Sequence, residues 1–197
     1  MNLPNKISML RIFLIPVMIA FYLLDPIIPY GRLIALGVYV VASFTDMLDG
    51  HIARSRNLVT DLGKLLDSIA DKLLNVCALL LVLVDGVLPL VWGVLVACII
   101  ICRELLISIF RQVCATKGMV MAADWWGKIK AIVQDIAIPF MFLLAQIYAN
   151  GGLGMSAGLI LAFEIVTYVL IGAATLLTIM SAINYMVKNR AVFKEGE

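Results

Sequence analysis

The chain has 197 residues, of which 63% are hydrophobic and 14% charged, and its mean hydropathy is +1.07. Soluble domains carry about 45–50% apolar and about 25% charged residues, so this composition excludes an ordinary water-soluble globule and points to an all-α integral membrane protein. A formal net charge of +2 gives no basic footprint for nucleic acid, and the placement of the charges carries more than their sum.

In chain order, residues 2–11, NLPNKISMLR, put Pro4 near a helix start, where its missing N–H costs nothing. A short interfacial helix over 1–11 is expected, with Ile7 and Leu10 toward lipid and Lys6 and Arg11 toward headgroups. The apolar run that follows ends in LLDPIIPYGR with no small-x-small cleavage pattern, so it reads as a retained helix. Apolar segments of spanning length, about 17–25 residues, lie near 12–30, 33–54, 61–85, 87–111, 125–149 and 155–187, the last running long. Turn residues separate them at Asp25-Pro26, Pro29-Tyr30-Gly31, Asp85-Gly86 with Pro89, Lys117-Gly118 and Asn150-Gly151-Gly152. The expectation is one domain over 1–197, with six transmembrane helices over 12–187 and a tail over 188–197.

Six spans put both termini on one side. That side then receives Lys6, Arg11, Arg54, Arg56, Lys64, Lys117, Lys128, Lys130, Lys188, Arg190 and Lys194, while the opposite turns receive only Arg32. Such an excess marks the cytoplasmic side. Lys117, Lys130, Lys188, Arg190 and Lys194 read as anchors beside anionic lipid, and Trp125 and Trp126 as an interfacial belt. Cys77, Cys98, Cys102 and Cys114 complete no zinc pattern and are expected as buried free thiols. His51 reads as a polar neighbour of the stretch that follows.

Between 46 and 71 the chain concentrates its chemistry. Asp46, Asp49, Gly50 and Ala53 stand at i, i+3, i+4 and i+7, and Gly63, Asp67 and Asp71 at i, i+4 and i+8, each one stripe of a helix. A charge at mid-bilayer depth costs about 2.5–3.5 kcal/mol on insertion scales. Converging carboxylates would also raise one another's pKa values unless cations held them. An oxygen-only set points to a hard ion, Mg²⁺ or Mn²⁺, and four carboxylates suffice for two ions sharing ligands, the layout that serves phosphoryl displacement. The small residues on the same stripes either leave room for a ligand against the backbone or pack helix on helix. On the same membrane face stand Arg103, Arg111 and Lys128, a cationic cluster suited to phosphate. Glu104 and Asp135 read as structural partners of that cluster.

The string Asp46-x2-Asp49-Gly50-x2-Ala53-Arg54-x8-Gly63-x3-Asp67-x3-Asp71 resembles the signature of the CDP-alcohol phosphotransferases. The resemblance implies six transmembrane helices, a homodimer, two divalent ions on Asp46, Asp49, Asp67 and Asp71, and Asp71 as general base. It further implies a cytidine nucleotide against Gly50 and Ala53, with Arg54 and Gly63 nearby and Asn5 and Ser8 on the donor side. The segments NLPNKISMLR, RNLVTDLGKLLDSIADKLL, RELLISIFR and WWGKIKA resemble the branch that makes phosphatidylglycerophosphate in the bacterial cell membrane. That branch implies CDP-diacylglycerol as donor, and glycerol 3-phosphate as acceptor held by Arg103, Arg111 and Lys128. Phosphatidylglycerol and inositol phosphate are the other acceptors open at this point. A divalent-cation transporter is the reading from a different class, and it gives Gly50, Ala53 and the cationic cluster no role.

Overall fold

Among the described residues, the apolar runs fold into six helices: α1 (Leu3–Leu23), α2 (Gly31–Ser55), α3 (Asp61–Val84), α4 (Leu90–Thr116), α5 (Trp125–Ala149) and α6 (Ala157–Lys188). The computed structural model describes residues 3–55, 61–116 and 125–188, with side chains at 7–45, 63, 66–114 and 125–188. Among the described residues there is no strand. Three stretches among the described residues are long and apolar enough to cross a membrane: Leu90–Cys114, Trp125–Ala149 and Ala157–Lys188, with mean hydropathies of 2.4, 1.6 and 2.2. Their outward faces carry Val91, Trp92, Leu106, Val169 and Ile183, all exposed, a surface that suits acyl chains better than water. The apolar parts of α1 and α2 are shorter, Ile7–Leu23 and Gly31–Thr45.

The separate interfacial helix expected over 1–11 is not seen; α1 runs unbroken from Leu3 through Leu23. Pro4 lies in the first turn, where no intrahelical donor is lost, and nothing between it and Pro16 breaks the helix. Arg11 also departs from expectation. It is fully buried and its Nη1 donates to Asp67 Oδ1 at 3.2 Å, so it points into the protein and not toward headgroups.

The contacts divide the chain into two units, the first comprising residues 1–87 and 138–163. Here α1 packs against α2 and α3. Ile15, Met18 and Tyr22 of α1 meet Ala35, Tyr39 and Ala42 of α2 and Ala70, Leu74 and Ala78 of α3, all buried at helical spacing. The alanines let backbones approach closely. Phe142 fills the centre, edge-on to Tyr22 at 5.2 Å and stacked on Tyr39 at 6.0 Å between ring centroids. Tyr39 extends this core to a polar partner, its hydroxyl donating to Asn75 Oδ1 at 2.8 Å.

One end of this unit is tied by charge. Arg32 donates from Nε and Nη2 to the two oxygens of Asp85, each at 2.8 Å, and from Nη1 to Asp25; Tyr22 also donates to Asp85. The turn before α2 is tight: a Cβ at Gly31 would overlap the Phe21 carbonyl oxygen and lie 2.8 Å from Asp25 Cα. Burial pushes the Asp85 carboxyl up, but the hydrogen bonds from Arg32 and Tyr22 outweigh it and hold the group below the usual carboxylate range. A depressed pKa stabilises the fold above the unfolded value of about 3.9 and loses that contribution as pH falls through the folded value. The expected result is that the native protein unfolds at a higher temperature than Asp85→Asn at neutral pH, with the gap closing below about pH 4. Thermal unfolding in detergent across pH checks it; a gap independent of pH would remove the ion pair from the account.

The second unit comprises residues 88–137 and 164–197. On α6, Thr167, Ile171, Ala174, Thr178, Ser181 and Tyr185 form a buried stripe whose alternating steps of four and three trace one helix face. Ala97, Ile100, Ile107 and Cys114 form the buried face of α4, and Phe110 meets Tyr185 edge-on at 6.0 Å. Cys98 and Cys102, expected to be buried, are exposed, while Cys114 is buried; all four cysteines are free thiols. The pair sits off the Ala97–Ile100–Ile107 face, and a thiol is apolar enough to face hydrocarbon.

Candidate active site

The acid stretch occupies the last turns of α2 and the first turns of α3, two helices that pack on each other. Both stripes fall on continuous helix, 46-49-50-53 on α2 and 63-67-71 on α3. The side chains of Asp46, Asp49, Gly50, His51, Ala53 and Arg54 lie outside the described residues, as does that of Asn5. On α3, Gly63 is half-buried, Asp67 has 45% of its side chain exposed, and Asp71 is exposed. Buried Ala70 and Leu74 stand three and seven residues on from Asp67, so the two carboxylates lie along the edge of the buried face of α3, with Asp71 turned further outward.

Arg11 reaches this stripe by a direct ion pair with Asp67. Ser8, one turn earlier on α1, is likewise buried. The N-terminal half of α1 is therefore docked on the acid-bearing end of α3, which brings the expected donor-side segment to the expected acid stripe. Among the described residues no group of three or more metal-ligating side chains occurs. Asp67 and Asp71 do fit a hard divalent cation by chemistry: they offer carboxylate oxygens one turn apart on α3, neither of them buried.

The second unit holds the basic cluster. Arg103 is half-buried on α4, and its Nη2 donates to Ser181 Oγ of α6. Arg111 and Lys128 are both exposed. Lys130, expected as a lipid-facing anchor, is instead fully buried and ion-paired with Glu104. The physical reason is register: Lys130 shares a face with Gln134, Ala137 and Met141, all buried, whereas Lys128, two residues earlier, falls on the opposite, exposed face. Asp135 and Arg103 act on the same ammonium electrostatically. Glu104 is thus a structural partner of a basic residue, as expected, and the residues whose place the sequence does not give are Lys130 and Ser181. The apolar periodicity of α5 holds the signal for the first, and nothing local marks the second.

Residues 1–180 match the family described as CDP-alcohol phosphatidyltransferase. The chain is 43% identical over 152 residues to the CDP-diacylglycerol–glycerol-3-phosphate 3-phosphatidyltransferase of Bacillus subtilis, covering 72% of this chain and 77% of that one. It is 33% identical over 189 residues to the protein of that name from Rickettsia bellii, with 93% of each chain covered. To the protein of that name from Haemophilus influenzae it is 34% identical over 188 residues, with 94% and 91% covered.

Proposed function

Because the chain belongs to the CDP-alcohol phosphatidyltransferase family, we propose that it transfers the phosphatidyl group of CDP-diacylglycerol to glycerol 3-phosphate, giving phosphatidylglycerophosphate and CMP. The observation that carries this reading is the pair of stripes, 46-49-50-53 and 63-67-71, on unbroken helices that pack together, in a chain similar along its length to proteins named for that reaction.

In this reading Asp46, Asp49, Asp67 and Asp71 hold two divalent ions, Mg²⁺ or Mn²⁺, and Gly50, Ala53, Arg54, Gly63, Asn5 and Ser8 receive the cytidine nucleotide and donor. The ions, when bound, neutralise charge on the phosphoryl oxygens of the donor. Asp71 takes the proton of the C1 hydroxyl of glycerol 3-phosphate as that oxygen forms its bond to the lipid-side phosphorus. The bond from that phosphorus to the CMP oxygen breaks, and CMP leaves with the electron pair. Arg11, buried against Asp67, fixes the carboxylate's orientation from behind. Arg103, Arg111 and Lys128 meet the phosphate that the acceptor carries. The six helices each cross the bacterial cell membrane as one domain, with site and termini in the cytoplasm. The lysine and arginine asymmetry supports that orientation. The enzyme works as a homodimer.

Metal removal tests the reading. Chelation should abolish glycerol 3-phosphate-dependent CMP release and added Mg²⁺ or Mn²⁺ should restore it; release that persists through chelation contradicts the ligand assignment. Arg103→Ala should raise the KM for glycerol 3-phosphate by about 10- to 100-fold, the range for a lost hydrogen bond to a charged group, and leave the donor KM alone. Equal changes in both would remove Arg103 from the acceptor site.

A further inference from the structure

The buried stripe of α6 carries hydroxyls where apolar side chains would pack as well. Thr178 directs its hydroxyl at its own helix, donating to the Ala174 carbonyl at 2.6 Å. Ser181, one turn on and fully buried, instead accepts a hydrogen bond from Arg103 Nη2 of α4. From the third side α5 presents Gly127. A Cβ there would stand 3.2 Å from Arg103 Nη2 and 3.7 Å from Ser181 Oγ, so the missing side chain is the space in which this hydrogen bond forms. Three helices thus converge on one guanidinium: α4 supplies it, α5 recedes for it and α6 fixes it. The buried Lys130 ammonium repels the same group, which makes a fixed acceptor for it matter more. A guanidinium already held in one orientation has less freedom to lose when it meets a phosphate, and the loss of freedom is a main cost of binding.

We propose that Ser181 is a positioning residue for acceptor recognition: its hydroxyl, in the clearance left by Gly127, sets the orientation in which Arg103 receives the acceptor's phosphate. The proposal rests on the reading of Arg103 as an acceptor-phosphate ligand. Ser181 itself touches no substrate.

The experiment measures kcat and both KM values for the purified full-length enzyme with CDP-diacylglycerol and glycerol 3-phosphate. Ser181→Ala should raise the glycerol 3-phosphate KM about 3- to 10-fold, the effect of one modest hydrogen bond, with kcat and the donor KM unchanged. Ser181→Thr, which keeps the hydroxyl, should restore the KM to within about twofold of native. Gly127→Ala, whose Cβ would crowd the guanidinium at 3.2 Å and only reach ordinary contact with the serine at 3.7 Å, should raise the acceptor KM in the same direction. In an Arg103→Ala background, Ser181→Ala should add nothing, because the group it positions is gone. A native acceptor KM in Ser181→Ala overturns the proposal, as does equal loss in kcat and both KM values, or failure of threonine to rescue. Should Arg103→Ala leave the acceptor KM unaltered, the reading beneath the proposal falls instead, and the two failures are told apart. If Ser181→Ala does not fold, the threonine and Gly127→Ala variants still decide the question.

Discussion

Asp71→Asn is expected to lower kcat by about 10²–10⁴-fold, the usual contribution of a positioned general base, with the protein still folded. Asparagine keeps the shape of aspartate but accepts no proton at neutral pH and carries no charge toward a cation. Asp71 is exposed on α3, and substitutions at exposed positions rarely change stability by more than about 0.5 kcal/mol. The thermal midpoint should therefore stay near native while turnover collapses. A fall in kcat with a matching fall in stability would say that the carboxylate is structural. Turnover within about tenfold of native would exclude Asp71 as the base, since that lies below the range for such a group. Asp67→Asn differs in kind: it also removes the ion pair that Asp67 makes with buried Arg11, so it should lose stability as well as activity.

The second large effect concerns stability and lies at Lys130. Its ammonium is 1% exposed and ion-paired with Glu104. Removing one member of a buried pair leaves an uncompensated charge in an apolar setting, at a cost of about 3–5 kcal/mol. Glu104→Ala should accordingly lower the thermal midpoint by about 6–20 °C for a protein of this size. Replacing both partners with apolar residues, Glu104→Leu with Lys130→Met, should recover most of that loss, because no charge is left to desolvate. Unfolding followed in detergent by circular dichroism makes the comparison. A double variant no more stable than Glu104→Ala would mean that the pair holds the α4–α5 contact in a way that apolar packing cannot reproduce.

Most of the helical framework was legible because its signals are local. The breaks at Asp25-Pro26, Gly31, Asp85-Gly86 and Asn150-Gly151-Gly152 fall where α1 ends, α2 begins, α3 ends and α5 ends. Gly151 and Gly152 adopt positive φ, 58° and 95°, the conformation that makes glycine a helix terminator. Both acid stripes were legible for the same reason, since helical period alone puts 46-49-50-53 and 63-67-71 on single faces. What sequence order hid was pairing at a distance. Arg11 read as a headgroup cation because its neighbours are apolar and it sits near the N-terminus; its partner Asp67 lies 56 residues away. Lys130 was grouped with the loop lysines by proximity, although the buried face of α5 passes through it. Ser181 looked like any small polar residue in a span, and only the approach of α4 and α5 gives it Arg103 as a neighbour.

One measurement tests the acceptor most directly. Purified protein is incubated with CDP-diacylglycerol and Mg²⁺ together with glycerol 3-phosphate, phosphatidylglycerol or inositol phosphate, each in turn, and CMP and the lipid product are quantified together. Glycerol 3-phosphate should give CMP and phosphatidylglycerophosphate in equal amounts, with no CMP above background from the other two. CMP release with inositol phosphate or phosphatidylglycerol and none with glycerol 3-phosphate would contradict the acceptor. No CMP with any of the three would contradict the transferase itself.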